Sequence, residues 1–328
     1  MRYLGSKTML LEQIKQLTCE YANGIFCDPF GGIGTVGAFM KKNGYHVITG
    51  DLLNFAHFFQ RTLIEFDNTV SFDRLRAYLH VDSLEELEQY MSSIHISDGW
   101  FIQEYAIKRS FFTLENAYHI QACIDYIEKW SEQGVVNDKE RTVLLASLIN
   151  SFDKVANTAG TYYAFLKQFY RKARKSFQFI LLHPVAGHNG ISCLMDANTL
   201  VEKTKCDILY LDPPYNNRDY GSYYHLPETV SLGIVPVPSG KSGVYRSGQK
   251  SVYNGRHATE AFQDLIENAD AQCIIFHYTD DGMINMDRAK EILQKKGTHF
   301  EEYFIDCRGY ATSNIAVNCT HHIMKVRI

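Results

Sequence analysis

The chain has 328 residues, of which 45% are hydrophobic, 21% charged and 13% aromatic, a length suited to two domains or one large decorated domain and a composition that excludes a mostly disordered, collagen-like or coiled-coil polymer. The formal net charge of −4 excludes a protein that binds polyanions over its whole surface, although an average can hide local patches. No stretch approaches the roughly 20 uninterrupted apolar residues that cross a bilayer, and the opening MRYLGSKTMLLEQI carries no signal-peptide core, so a cytoplasmic protein without membrane contact is expected.

In chain order, the pattern predicts an opening turn and helix over Lys7 to Thr18, then a short apolar strand from Gly24 to Cys27. A glycine-rich bend follows, then a helix from about Thr35 and a second strand from Tyr45 to Gly50 that ends at Asp51. Strand, glycine turn, helix and strand in so few residues form a βαβ unit of a parallel sheet. From about Thr62 to His183 the periodicity becomes helical, as in Arg141 to Lys154, where Leu144, Leu145, Leu148, Ile149 and Phe152 make a core stripe. Tyr162, Phe165, Leu166 and Phe169 also fall at helical spacing and read as core. Strands resume at Ile191 to Leu194, Asp207 to Leu211, Gln272 to His277, Glu302 to Ile305 and Thr320 to Val326. The expected fold is therefore α/β, a doubly wound, mostly parallel sheet assembled from residues 1–61 and 191–328, with 62–190 as an inserted, mainly helical domain. The eight cysteines form no CxxC pair, so reduced thiols and no metal site are expected.

Asp28-Pro29-Phe30-Gly31-Gly32-Ile33-Gly34 sits between a strand and a helix, where missing side chains let backbone N–H groups approach a ligand. Gly32, Gly34 and Gly37 also satisfy G-x-G-x-x-G with Asp51 on the next strand, so a nicotinamide-dependent oxidoreductase is a competing reading. Asp28 weighs against it. A carboxylate at the mouth of the bend repels a pyrophosphate and attracts the ammonium of a methionine moiety, which favours S-adenosylmethionine, with Asp51 on the ribose hydroxyls.

Asp212-Pro213-Pro214-Tyr215 closes the apolar strand Ile208 to Leu211. Two prolines supply fixed carbonyls and no N–H donors. Asp212 and the Pro213 carbonyl can then accept both N–H bonds of an exocyclic amine while Tyr215 stacks on the base. Two windows lack acids altogether: Lys154, Lys167, Arg171, Lys172, Arg174 and Lys175 fall in the first, and Lys241, Arg246, Lys250 and Arg256 in the second. Such clusters suit phosphate.

DPFGGIG followed by DPPY, with the opening Tyr3-Leu4-Gly5-Ser6-Lys7, resembles the D12-class, Dam-like adenine-N6 methyltransferases of DNA. The resemblance implies a Rossmann-like methyltransferase fold, the cofactor S-adenosylmethionine, double-stranded DNA as partner, a flipped adenine as acceptor, and a bacterial or phage setting, with either a cognate restriction endonuclease as partner or an orphan role. It puts Tyr3, Gly5, Ser6 and Lys7 beside the cofactor, Asp28, Pro29, Phe30 and Gly32 around its methionine part, Asp51 on its ribose, and Asp196-Ala197 at its adenine. Asp212 serves both cofactor and acceptor, with Pro213, Pro214 and Tyr215 completing the catalytic set. The insertion 62–190 takes the place of a target-recognition domain, and Lys167, Arg171, Lys172, Arg174, Lys175, Arg246, Lys250 and Arg256 are the expected DNA contacts. A catalytically inactive DNA-binding subunit remains a further alternative.

Overall fold

A computed structural model describes all residues except 216, 218, 246–249, 280–281 and 309–317. The chain separates into two compact units: Met1–Ser6, Leu53–Pro184 and Tyr220–Gln249 form one, and Lys7–Leu52, Val185–Asp219 and Lys250–Ile328 the other.

The second unit is a seven-stranded sheet. Its strands are β1 (Ile25–Asp28), β2 (His46–Asp51), β3 (Ile191–Leu194), β4 (Lys205–Leu211), β5 (Asp270–Thr279), β6 (His299–Arg308) and β7 (Asn318–Arg327), in the order β3-β2-β1-β4-β5-β7-β6. The first five are parallel, and the β6–β7 hairpin adds antiparallel pairs at one edge. Because side chains alternate along a strand, one face buries Cys27, Leu209, Leu211, Ile274, Phe276 and Met324 against the helices Ala197–Glu202, Ala258–Asn268 and Met286–Lys296. Full burial of such side chains contributes roughly 1.5–3 kcal/mol each. On the other face Phe26 stacks on Tyr210 at 5.8 Å. The topology matters most at β1 and β4. Strand order runs outward from β1 through β2 to β3 and outward from β4 to β5, so the crevice beyond the carboxyl ends of β1 and β4 is a switch point where such sheets bind ligands.

The first unit is helical, with longest helices Leu114–Glu132 and Asp138–Asp153. The second of these starts at an Asn137–Glu140 capping box, which satisfies N–H groups that a helix start leaves unpaired. Leu144, Leu145, Leu148, Ile149 and Phe152 are all buried in it, as expected. Buried Glu228 accepts from the N–H groups of Asn54 and Phe55, 3.1 Å each, at the start of the helix Asn54–Gln60. Residues 177–182 run extended outside any sheet, and polar side chains supply their partners: Asn116 for Phe177 N–H, Ser92 for Phe179, Ser151 for Ile180 and Ser147 for Leu182.

One expectation fails here. Tyr162, Phe165, Leu166 and Phe169 do not share a helix, and of the four only Tyr162 is fully buried. The Asn157 side-chain amide takes over the local bonding. It donates to the carbonyls of Ser110 (2.8 Å) and Leu166 (3.0 Å) and accepts from Tyr170 N–H (3.0 Å), an alternative to helical backbone bonds that asparagine readily offers.

Candidate active site

The bend after β1 is built by two left-handed glycines, Gly32 (φ 51°) and Gly34 (φ 79°). Gly34 caps the helix Thr35–Lys42, and a side chain there would clash with its own backbone. The bend is tied to β2 on two sides: Gly31 N–H donates to the Gly50 carbonyl (2.9 Å) and Gly32 N–H to Asp51 Oδ2 (3.1 Å). Asp51 thus stands where the sequence places it and also orients the bend.

Asp28, Pro29 and Gly32 are buried, and Phe30 is half-buried. Asp28 Oδ1 accepts from Phe30 N–H at 3.3 Å. Burial, reinforced by the neighbouring Asp212 carboxylate, pushes the Asp28 carboxyl up to about 8, because both effects disfavour the charged form. Asp212 is likewise raised by burial, with the Lys7 ammonium acting in the opposite sense.

Asp212 follows the last residue of β4 and presents two different oxygens. Oδ2 is held by Lys7 Nζ at 2.7 Å, with the lysine only 5% exposed. Oδ1 is buried and has no hydrogen-bond partner among the described residues. A buried acceptor without a donor costs about 1–3 kcal/mol, and such an atom in a crevice points to a ligand group that supplies the missing N–H.

Tyr215 is half-buried beside this carboxylate. Lys7 Nζ lies 5.5 Å from its ring centroid, and Tyr278 meets it edge-on at 6.3 Å. The loop is braced from β5: Met283 N–H donates to the Tyr215 carbonyl (3.2 Å), and the Tyr278 hydroxyl receives Ile284 N–H (3.0 Å). Gly282 permits this packing, since a Cβ there would lie 1.8 Å from Tyr278 Cε1.

Around the crevice stand, among the described residues, the carboxyl groups of Asp28, Asp51 and Asp212 with the ammonium of Lys7. This donor set suits a cationic ligand bearing ribose hydroxyls and opposes a dinucleotide pyrophosphate. The residues therefore fit a sulfonium nucleoside with an α-ammonium group.

Ala197 is buried, and Asp196 Oδ1 accepts from Asn198 N–H at 2.9 Å, so Asp196 caps the helix it precedes. Beside it sequence reasoning missed Tyr253. Its ring meets Phe30 edge-on at 4.9 Å, and its hydroxyl donates to Asn198 Oδ1 at 2.7 Å. It lies in a glycine- and serine-rich stretch, where no periodicity marks an inward-facing residue. The Lys7–Asp212 pair was also missed, because nothing local links residues 205 positions apart.

Lys7, Asp28, Pro29, Phe30, Gly32, Asp51, Asp196, Ala197 and residues 212–215 all belong to the second unit, whereas Tyr3, Gly5 and Ser6 belong to the first. There Leu4 N–H donates to the Tyr224 hydroxyl (2.7 Å) and the Tyr3 ring stacks on Tyr224 at 5.0 Å. Of the expected phosphate contacts, Lys167, Arg171, Arg174 and Lys175 are exposed and Lys172 half-exposed in the first unit; Lys250 and Arg256 are exposed in the second. Arg246 lies outside the described residues. Among the described residues no cluster of histidine, cysteine and carboxylate could hold a metal ion, and no helix is long and apolar enough to cross a membrane.

Comparison with known proteins adds a family. The model of the D12 class N6 adenine-specific DNA methyltransferases matches residues 3–278. The type II methyltransferase M.FokI of Planomicrobium okeanokoites is 32% identical over 308 residues, covering 90% of this chain and 47% of its own. The type II methyltransferase M.NlaIII of Neisseria lactamica is 31% identical over 309 residues, covering 91% and 89%. The modification methylase StsI of Streptococcus sanguinis is 29% identical over 333 residues, covering 97% and 50%. The chain thus spans about half the length of M.FokI and StsI and most of M.NlaIII.

Proposed function

This chain belongs to the D12 class of N6 adenine-specific DNA methyltransferases, and we propose that it transfers a methyl group from S-adenosylmethionine to the exocyclic N6 of a flipped adenine in duplex DNA. The observation that carries this reading is the buried Asp212 Oδ1 with no hydrogen-bond partner among the described residues, beside the half-buried ring of Tyr215.

When bound, S-adenosylmethionine supplies an electrophilic methyl group on a sulfonium. Asp28 would hold its ammonium, with Pro29, Phe30 and Gly32 around the rest of its methionine part, Asp51 its ribose hydroxyls, and Asp196, Ala197 and Tyr253 its adenine; the resemblance adds Tyr3, Gly5 and Ser6.

The acceptor amine is a weak nucleophile because its lone pair is conjugated into the purine ring. Asp212 Oδ1 and the Pro213 carbonyl accept its two N–H bonds, which fixes the nitrogen and makes positioning the larger share of catalysis. As positive charge develops on nitrogen, the Asp212 carboxylate opposes it in a water-poor site. Lys7 holds Oδ2 and so turns Oδ1 toward the amine. Burial raises Asp212 above the ordinary carboxylate range, which lets Oδ1 receive the proton that the methylated amine releases. A paired adenine cannot reach such a pocket, so the base leaves the stack at a cost of a few kcal/mol and rests on Tyr215.

The segment 62–190 is proposed to recognise the target sequence, with Lys167, Arg171, Lys172, Arg174, Lys175, Lys250 and Arg256 on phosphates. We place the chain in the cytoplasm, encoded by a bacterium or a phage, and the relatives' names as type II methyltransferases and modification methylases favour a modification role beside a restriction endonuclease over an orphan one. Incubating the chain with mixed duplexes and methyl-labelled donor is expected to place the label on N6 of adenine in the nucleoside digest. Label on cytosine, RNA or protein alone would overturn the acceptor.

A further inference from the structure

In the first unit an open pocket of about 620 Å³ lies between the end of the helix Asp138–Asp153 and the segment that follows Lys172. Arg2, Lys154, Lys172 and Lys175 line it together with one acid, Asp153. That acid is already engaged. Its Oδ1 accepts from the Tyr162 hydroxyl (3.1 Å) and its Oδ2 from the backbone N–H of Arg2 (3.1 Å), with Lys172 Nζ at 3.9 Å. Of the four cationic side chains only Lys172 reaches the one buried carboxylate, and among the described residues Arg2, Lys154 and Lys175 form no ion pair. The excess positive charge calls for an anion from outside. Ser151 and Ser176 belong to the same wall.

A second tyrosine follows the one that holds Asp153. Tyr162 is buried, and its N–H donates to the Tyr223 carbonyl at 2.8 Å. The next residue, Tyr163, is 57% exposed with its ring edge-on to Tyr223 at 5.2 Å. The Arg2 side chain passes within 3.5 Å of the space over Gly160. A cluster of cations and an exposed aromatic side chain are the two parts that track a nucleic-acid strand, phosphate on charge and base on ring.

We propose that this pocket seats a backbone phosphate of the DNA substrate, with Arg2 and Lys154 among its contacts, and that Tyr163 stacks on a nucleobase beside that phosphate. The inference rests on the reading of the chain as a DNA methyltransferase and adds a place where the strand is gripped. Arg2 and Tyr163 lie outside the expected DNA-binding set, and Lys154, though in the first acid-free window, is not among its expected DNA contacts.

The test is duplex binding over a series of salt concentrations, by fluorescence anisotropy, for the wild type and the variants R2A/K154A, Tyr163→Ala and Tyr163→Phe. The double variant should weaken DNA binding about tenfold and reduce the slope of log affinity against log salt by about 2, one for each cation withdrawn from a phosphate. Tyr163→Ala should weaken binding roughly tenfold, within the range for removal of a stacked ring, while Tyr163→Phe retains the affinity. In turnover the KM for DNA should rise with kcat unchanged, and affinity for S-adenosylhomocysteine should stay at the wild-type value, which reports an intact fold. An unaltered slope and affinity in the variants, with a wild type that binds and methylates DNA, overturns the pocket assignment alone. Loss of ATP or inorganic phosphate binding with DNA binding unaltered overturns it too, in favour of a small-anion site. A wild type that neither binds nor methylates DNA sinks the functional reading and this inference together.

Discussion

Replacing Asp212 with alanine is expected to slow methyl transfer by at least about a thousandfold, the scale on which removal of a preorganised electrostatic group acts. Single-turnover measurement with saturating donor and duplex isolates the chemical step. The substitution removes both the acceptor at Oδ1 and the partner of Lys7. Removing one partner of a buried ion pair costs about 3–5 kcal/mol of stability, so Asp212→Asn serves as the second variant. It keeps the shape and one acceptor oxygen but lacks the negative charge, and it should fold with a smaller loss, about a hundredfold in rate. Calorimetry with S-adenosylhomocysteine separates the two roles: a catalytic Asp212 predicts a far larger change in rate than in cofactor affinity. Turnover within a few-fold of wild type in Asp212→Asn would contradict the role assigned to its charge.

The second large effect concerns pH. With its carboxyl raised to about 8, Asp28 in the free protein is mostly protonated at neutral pH. An ammonium bound against it favours the carboxylate, so the bound state has the lower pKa and binding releases a proton. Affinity must then rise with pH while the free carboxyl is still protonated, by up to about tenfold per unit below pH 8, because each unit corresponds to about 1.4 kcal/mol. Isothermal titration of S-adenosylhomocysteine at neutral pH, in buffers of different ionisation enthalpy, should show close to one proton released. Asp28→Asn should bind more weakly and lose the pH slope. Proton uptake, or a slope that persists in Asp28→Asn, would move the effect to another group.

Much of the sheet is legible in the sequence because its signals are local. β1, β2 and β4 are short apolar runs that end in the acids that matter, and the glycines after β1 mark a bend that side chains would block. The expected edges fall within about two residues of the observed strands, the usual uncertainty of hydrogen-bonded ends. β6 is longer than its apolar centre suggests: it extends over His299–Arg308, since pairing with β7 also recruits the polar residues on either side. What could not be read is tertiary. Asn157 replaces helical bonds over the aromatic stretch through side-chain contacts that no periodicity encodes. The grouping of Met1–Ser6 and Tyr220–Gln249 with the helical unit depends on contacts such as Leu4 N–H with the Tyr224 hydroxyl, 220 residues apart. At the site, DPPY and DPFGGIG name the acids, whereas the buried lysine that divides the two Asp212 oxygens emerges only when distant segments meet.

The most direct measurement is the structure of the chain bound to S-adenosylhomocysteine and a duplex that carries its methylated sequence. The account predicts an adenine turned out of the helix, its amine in hydrogen-bond contact with Asp212 Oδ1 and its ring against Tyr215, with the cofactor over the glycine bend. An adenine that stays stacked in the duplex, or one extruded into a pocket that excludes residues 212–215, would contradict it.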